Sequence, residues 1–105
     1  MLKTIRLGIM GLGVVGSGLV ELIKKNAGVI ERKSDVKLEV VKALVKTQGK
    51  PRPLPSDQIT YNPDELICDP NVDVVVEVIG GIEPARTYIL KALEVGKSVV
   101  TANKA

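Results

Sequence analysis

Residues 72–79 constrain the fold more than any other stretch of this chain. Val72, Val74, Val75, Val76, Val78 and Ile79 form a near-continuous apolar run, interrupted only by Asp73 and Glu77. A valine-rich run of this length suits a strand covered on both faces, as in the interior of a parallel sheet. Parallel strands need long crossovers, so helices must alternate with strands along the chain. Residues 4–10 are β-rich and end at a glycine, as a first buried strand would. From Val14 onward, Val15, Leu19, Val20, Leu22 and Ile23 recur at helical spacing, with Glu21, Lys24 and Lys25 on the other face. This helix is expected to fade near Asn26, with Gly28 as a left-handed cap and residues 29–35 as a polar connection.

Residues 36–45 read as a second strand, and residues 59–61 suit a short third one. Between them Gly49, Pro51, Pro53 and Pro55 mark residues 46–56 as an exposed loop. Residues 63–68 read as one or two helical turns, stopped at Asp69-Pro70. Gly80-Gly81 breaks the valine run, and Pro84 suits a helical first turn. Tyr88, Ile89, Ala92 and Leu93 supply a buried stripe as far as Gly96. Residues 98–101 form the last strand. The order is the first half of a doubly wound α/β sheet, the Rossmann-like architecture.

Gly11-Leu12-Gly13-Val14-Val15-Gly16 sits where that architecture binds a dinucleotide, after a strand and at the opening of a helix. Gly11 permits the tight turn. Gly13 presents bare backbone to a pyrophosphate. Gly16 lets the helix lie close to the first strand. The helix N-terminus adds free N–H groups and a partial positive charge, worth about 0.3–2 kcal/mol to an anion. An NAD site usually adds an acid at the end of the second strand. Here Glu39 lies early in that strand, and its end carries Lys46, followed by Lys50 and Arg52. A 2′-phosphate is favoured there, so the residues point to NADP, with NAD use also open. For Lys50 and Arg52 a solvated loop is an equal reading.

The 105 residues amount to one small domain, residues 1–105, and a complete dinucleotide-binding fold usually needs more chain. Ala105 also falls just past a strand-like run, so the chain is expected to be a fragment of a longer enzyme. A balance of 15 Lys+Arg against 12 Asp+Glu favours anions only weakly. With two tyrosines as the only aromatic residues, a base-stacking nucleic-acid surface is not expected. The absence of histidine excludes His-based catalysis and a His-ligated zinc site within this sequence. Cys68 is the single cysteine and reads as core filler on a short helix, consistent with a reducing cytoplasm. No stretch approaches the roughly 18 apolar residues of a membrane span.

Three blocks together resemble a known family. Residues 11–18 (GLGVVGSG), residues 74–85 (VVVEVIGGIEPA) and residues 99–105 (VVTANKA) are similar to the amino-terminal domain of homoserine dehydrogenase. The phosphate loop is common to many folds, but the other two blocks at this spacing are far more specific. The resemblance implies NAD(P)-dependent interconversion of L-homoserine and L-aspartate 4-semialdehyde, in threonine and methionine biosynthesis. It also implies a substrate-holding remainder and a full-length homodimer or homotetramer. By the same resemblance Lys104 lies beside nicotinamide and substrate as a catalytic and cofactor-contacting residue. The family's other catalytic residues and its metal-cation site fall outside this sequence.

Physically, Lys104 follows the last strand at the edge where open parallel sheets bind ligands. A fixed ammonium there can stabilise developing oxygen charge or move a proton. Gly80 and Gly81 end the fourth strand, where their backbone can pass close to ribose or nicotinamide; a plain turn is the competing reading. Glu83 reads as a first-turn acid, and Glu77 as a buried residue in need of a partner. Two other functions stay open: a non-catalytic NAD(P)H-sensing module, and another amino-acid-related dehydrogenase on the same half-fold.

Overall fold

The computed structural model describes residues 3–46, 54–79 and 82–101. Five strands form one all-parallel sheet: β1 (Lys3–Met10), β2 (Val36–Leu44), β3 (Ile59–Thr60), β4 (Val74–Glu77) and β5 (Ser98–Thr101). The helices are α1 (Val14–Lys25), α2 (Ala27–Ser34), α3 (Pro63–Ile67) and α4 (Ala85–Glu94), with a 3-10 turn over Ser56–Gln58. The strand order β3-β2-β1-β4-β5 places β1 at the centre. The chain winds outward through β2 and β3, then crosses over to continue with β4 and β5. That reversal beside β1 is the switch point at which doubly wound sheets bind ligands.

Alternation along the strands fills two cores, one on each sheet face. Met10, Leu44 and Val75 pack with Leu66 and Ile67 of α3 and Ala92 of α4. Their strand neighbours Ile9 and Ala43 turn the other way and pack with Leu12 and Val20. Gly8 matters for the first layer. A Cβ there would stand 2.9 Å from Leu66 Cδ2 and 3.0 Å from Val72 Cγ1, so α3 lies almost against the β1 backbone.

Several sequence expectations are corrected. Residues 29–35 are not a polar connection, because α2 occupies Ala27–Ser34. Glu31, Arg32 and Lys33 are good helix formers, but α2 buries no residue, so it carries no apolar stripe to betray it. Gly28 is inside that helix, and the left-handed cap is Asp35 at φ 55°. Asp tolerates this conformation better than most side chains. Asp35 O then accepts from Lys3 N at 3.1 Å, joining the cap to the start of β1.

Cys68 is exposed and is not core filler. Leu66 and Ile67 already fill the inward face of α3, and the next residue is rotated by about 100°. Leu93 is also exposed, since Ala85, Tyr88 and Ala92 form the inward stripe of α4. Glu83 precedes α4, whose first turn holds no acid, and Glu83 Oε2 accepts from the Thr87 hydroxyl at 2.7 Å. Among the described residues no helix is long and apolar enough to cross a membrane.

Candidate functional site

Register places the ends of all five strands in one row. Met10 pairs with Leu44 on one side and Glu77 on the other, Leu44 pairs with Thr60, and Glu77 with Thr101. Each of these residues ends its strand, so every loop at the carboxyl edge leaves from the same line. Above this row lies a cleft of about 360 Å³. Gly11, Leu12 and Gly13 line its middle. Lys46, Tyr61 and Pro63 line the β2–β3 end, and Val78, Ile79, Pro84 and Tyr88 the β4 end.

The glycine loop is built by backbone requirements. Gly11 has φ 104°, a region that favours glycine, and its N–H donates to Leu44 O at 2.9 Å. Gly16 is pressed against this turn. A Cβ on Gly16 would stand 1.9 Å from Gly11 O, so no other residue fits without moving the helix. Gly13 differs from both, because a Cβ there would meet nothing within 4 Å. The space beside Gly13 is therefore open, as an approach for a ligand would require.

The start of α1 is equally open. Val14 and Val15 follow the Gly13 N-cap, where no side chain caps the helix and no acid occupies the first turn. Ser17 turns away, its hydroxyl donating to Leu12 O at 2.9 Å. The first N–H groups of a helix have no intrahelical acceptor. Among the described residues that line the cleft there is no acid, and such a donor set fits a diphosphate.

Lys46 is exposed beside the cleft, two residues past the end of β2, and no acid replaces it there. Tyr61 was missed as a site residue in the sequence. It directly follows β3 and is 50% exposed, which puts an aromatic ring at the same end as Lys46. Only the register of β3 with β2 brings these residues together, and a two-residue strand leaves little sequence signal.

Glu77 has 0% exposure. Its Oε2 accepts from the Ile79 N–H at 2.7 Å, and its Oε1 accepts from the Thr101 hydroxyl at 2.6 Å. Burying a carboxylate costs several kcal/mol unless donors satisfy it. Here both oxygens have one. Gly80, Gly81, Lys104, Lys50 and Arg52 lie outside the described residues.

A second polar group lies at the turns leading into β4 and β5, away from the cleft. Lys42 Nζ stands 3.0 Å from Asp69 Oδ2, and Lys97 Nζ donates to Asp69 O and Val72 O. The Asn71 N–H, followed by Lys42, holds the Asp69 carboxyl below its usual range despite partial burial. These contacts close a turn. Among the described residues no cluster of acids or Cys has the makings of a metal site.

Residues 11–105 match the family described as homoserine dehydrogenase, NAD binding domain. The chain belongs to that family. It is 43% identical to a homoserine dehydrogenase of Bacillus subtilis over 98% of this chain and 24% of the relative. Among solved structures, a homoserine dehydrogenase of S. aureus superposes with a TM-score of 0.89 at 36% identity, covering 99% of this chain and 27% of that one. Another, from Thiobacillus denitrificans, gives a TM-score of 0.84 at 40% identity over 98% of this chain and 24% of that one. The chain thus spans about a quarter of the length of the relatives it matches. A domain of this family binds a nicotinamide cofactor.

Proposed function

We propose that this chain, residues 1–105, is the cofactor-binding domain of a longer homoserine dehydrogenase. That enzyme interconverts L-homoserine and L-aspartate 4-semialdehyde, prefers NADP over NAD, and works as a homodimer or homotetramer in the cytoplasm. The observation that carries this reading is the contrast within the glycine loop, where an added Cβ would stand 1.9 Å from Gly11 O at Gly16 but meet nothing within 4 Å at Gly13, beside the uncapped start of α1.

Bound nicotinamide supplies or accepts the hydride. The backbone of Gly11, Leu12, Gly13, Val14, Val15 and Gly16 holds the diphosphate through N–H donors and the helix dipole. Lys46 meets the 2′-phosphate, a charge-assisted contact worth about 1.5–3 kcal/mol, or roughly 10- to 100-fold in affinity. Gly80 and Gly81 allow close passage of the ribose and nicotinamide. Lys104 stabilises negative charge on the substrate oxygen and moves its proton. The substrate is held by residues outside this sequence, so the domain alone turns nothing over.

The reading is tested in the whole enzyme by homoserine-dependent reduction of NADP and of NAD. Lys104→Ala is expected to lower kcat at least 100-fold and to change the cofactor dissociation constant only a few-fold. Wild-type kcat in that variant would remove Lys104 from the chemistry. Turnover of aspartate semialdehyde by residues 1–105 alone would contradict the division of labour.

A further inference from the structure

We infer that Glu77 is a positioning residue, whose buried carboxylate ties the carboxyl ends of β4 and β5 together and so sets the segments that follow them. Glu77 and Thr101 are register partners across the two strands, and both stand in the row from which the site loops leave. Glu77 spans them with one oxygen to each side, at 2.7 Å to Ile79 N and 2.6 Å to Thr101 Oγ1. Ile79 immediately precedes Gly80, and Thr101 stands three residues before Lys104.

Stability does not explain the choice of residue. A buried ionisable group is often replaced by an apolar one without loss, and the neighbours Val75 and Met10 show that this part of the sheet accepts apolar side chains. The comparison with Asp69 makes the same point. Asp69 has Lys42 and Lys97 around it and is partly open to solvent, as a surface turn requires. Glu77 is sealed, and its two described partners are donors at Ile79, just past β4, and at Thr101, which ends β5. A carboxylate accepts from both at once, whereas an amide accepts through one oxygen only. The importance of this tie for catalysis rests on the proposed role of Lys104.

The test uses the whole enzyme with Thr101→Val, Thr101→Ser, Glu77→Gln and the Glu77→Gln/Thr101→Val double variant. Thr101 is exposed, so Thr101→Val is expected to fold even if changes at Glu77 do not. Thr101→Val should lower kcat at least tenfold, with the NADPH dissociation constant within threefold of wild type. Thr101→Ser should restore kcat, and the double variant should be no worse than the poorer single one. A second readout needs no activity: in NMR spectra Thr101→Val should shift the amide signals of residues 79–81, over twenty positions away in sequence. Unchanged kcat in folded Thr101→Val, failure of Thr101→Ser to rescue, multiplying losses in the double variant, or undisturbed amides at 79–81 would each overturn the inference. If wild-type enzyme fails to oxidise homoserine, the dehydrogenase reading falls, while the amide shifts still judge the tie.

Discussion

The two ends of the row of strand ends carry the same pair of residue types, used in opposite ways. At the β3 end the buried Thr60 hydroxyl donates to Glu65 Oε2 at 2.5 Å, a contact between residues five apart, with the acid itself exposed on α3. At the β5 end the Thr101 hydroxyl donates to Glu77, 24 residues away, with the acid sealed inside the sheet. The first contact is local and trims one strand end. The second joins two strands. Around the first, Lys46 and Tyr61 present charge and ring to solvent, where they can be exchanged at little cost to the fold. Under the proposed function, cofactor preference is expected at that end, and the geometry of the chemistry at the other.

The glycine loop between the two ends gives the sharpest means of breaking this division. Gly16→Val should have the largest effect. Its side chain would displace Gly11 O from 1.9 Å, so stability should fall by about 3 kcal/mol or more. Denaturant unfolding checks this, and wild-type stability would mean that α1 does not press on the turn. Gly13→Val should leave unfolding within about 1 kcal/mol of wild type, because nothing lies within 4 Å of the added carbon. It should nevertheless abolish binding of NADPH and NADH alike. A folded Gly13→Val domain with intact affinity would dissolve the connection between the ends.

The smallest effect is expected far from the cleft. Asp69 has a folded-state pKa below its ordinary 3.8, so its contribution is present above about pH 4 and is lost as pH falls through the lowered value. Asp69→Asn should remove that acid-side component of the melting curve, at a cost of about 1 kcal/mol or less near neutrality. Cofactor affinity should not change. A change would mean that the β4 turn communicates with the cleft.

Where one residue type in one pattern had one physical cause, the sequence was readable. The valine run suited an inner strand, and Gly11 and Gly16 marked a turn and a close contact. Lys46 was legible as a cation just past the end of β2. The remainder depended on neighbours. The helix α2 buries nothing, so its periodicity is silent. Cys68 was misread because the helix ends one residue before it. Tyr61 joins the site through a register that two residues of β3 determine. The need of Glu77 for a partner was plain, but Thr101 became that partner only when β4 and β5 paired.

Calorimetric titration of the folded domain with NADPH and with NADH at matched salt, repeated with Lys46→Ala, tests the division of the cleft most directly. The expected result is tighter binding of NADPH, with roughly 10- to 100-fold of its affinity lost in Lys46→Ala and NADH binding unchanged. Equal affinities that Lys46→Ala leaves untouched would contradict the placement of cofactor preference at the β2–β3 end.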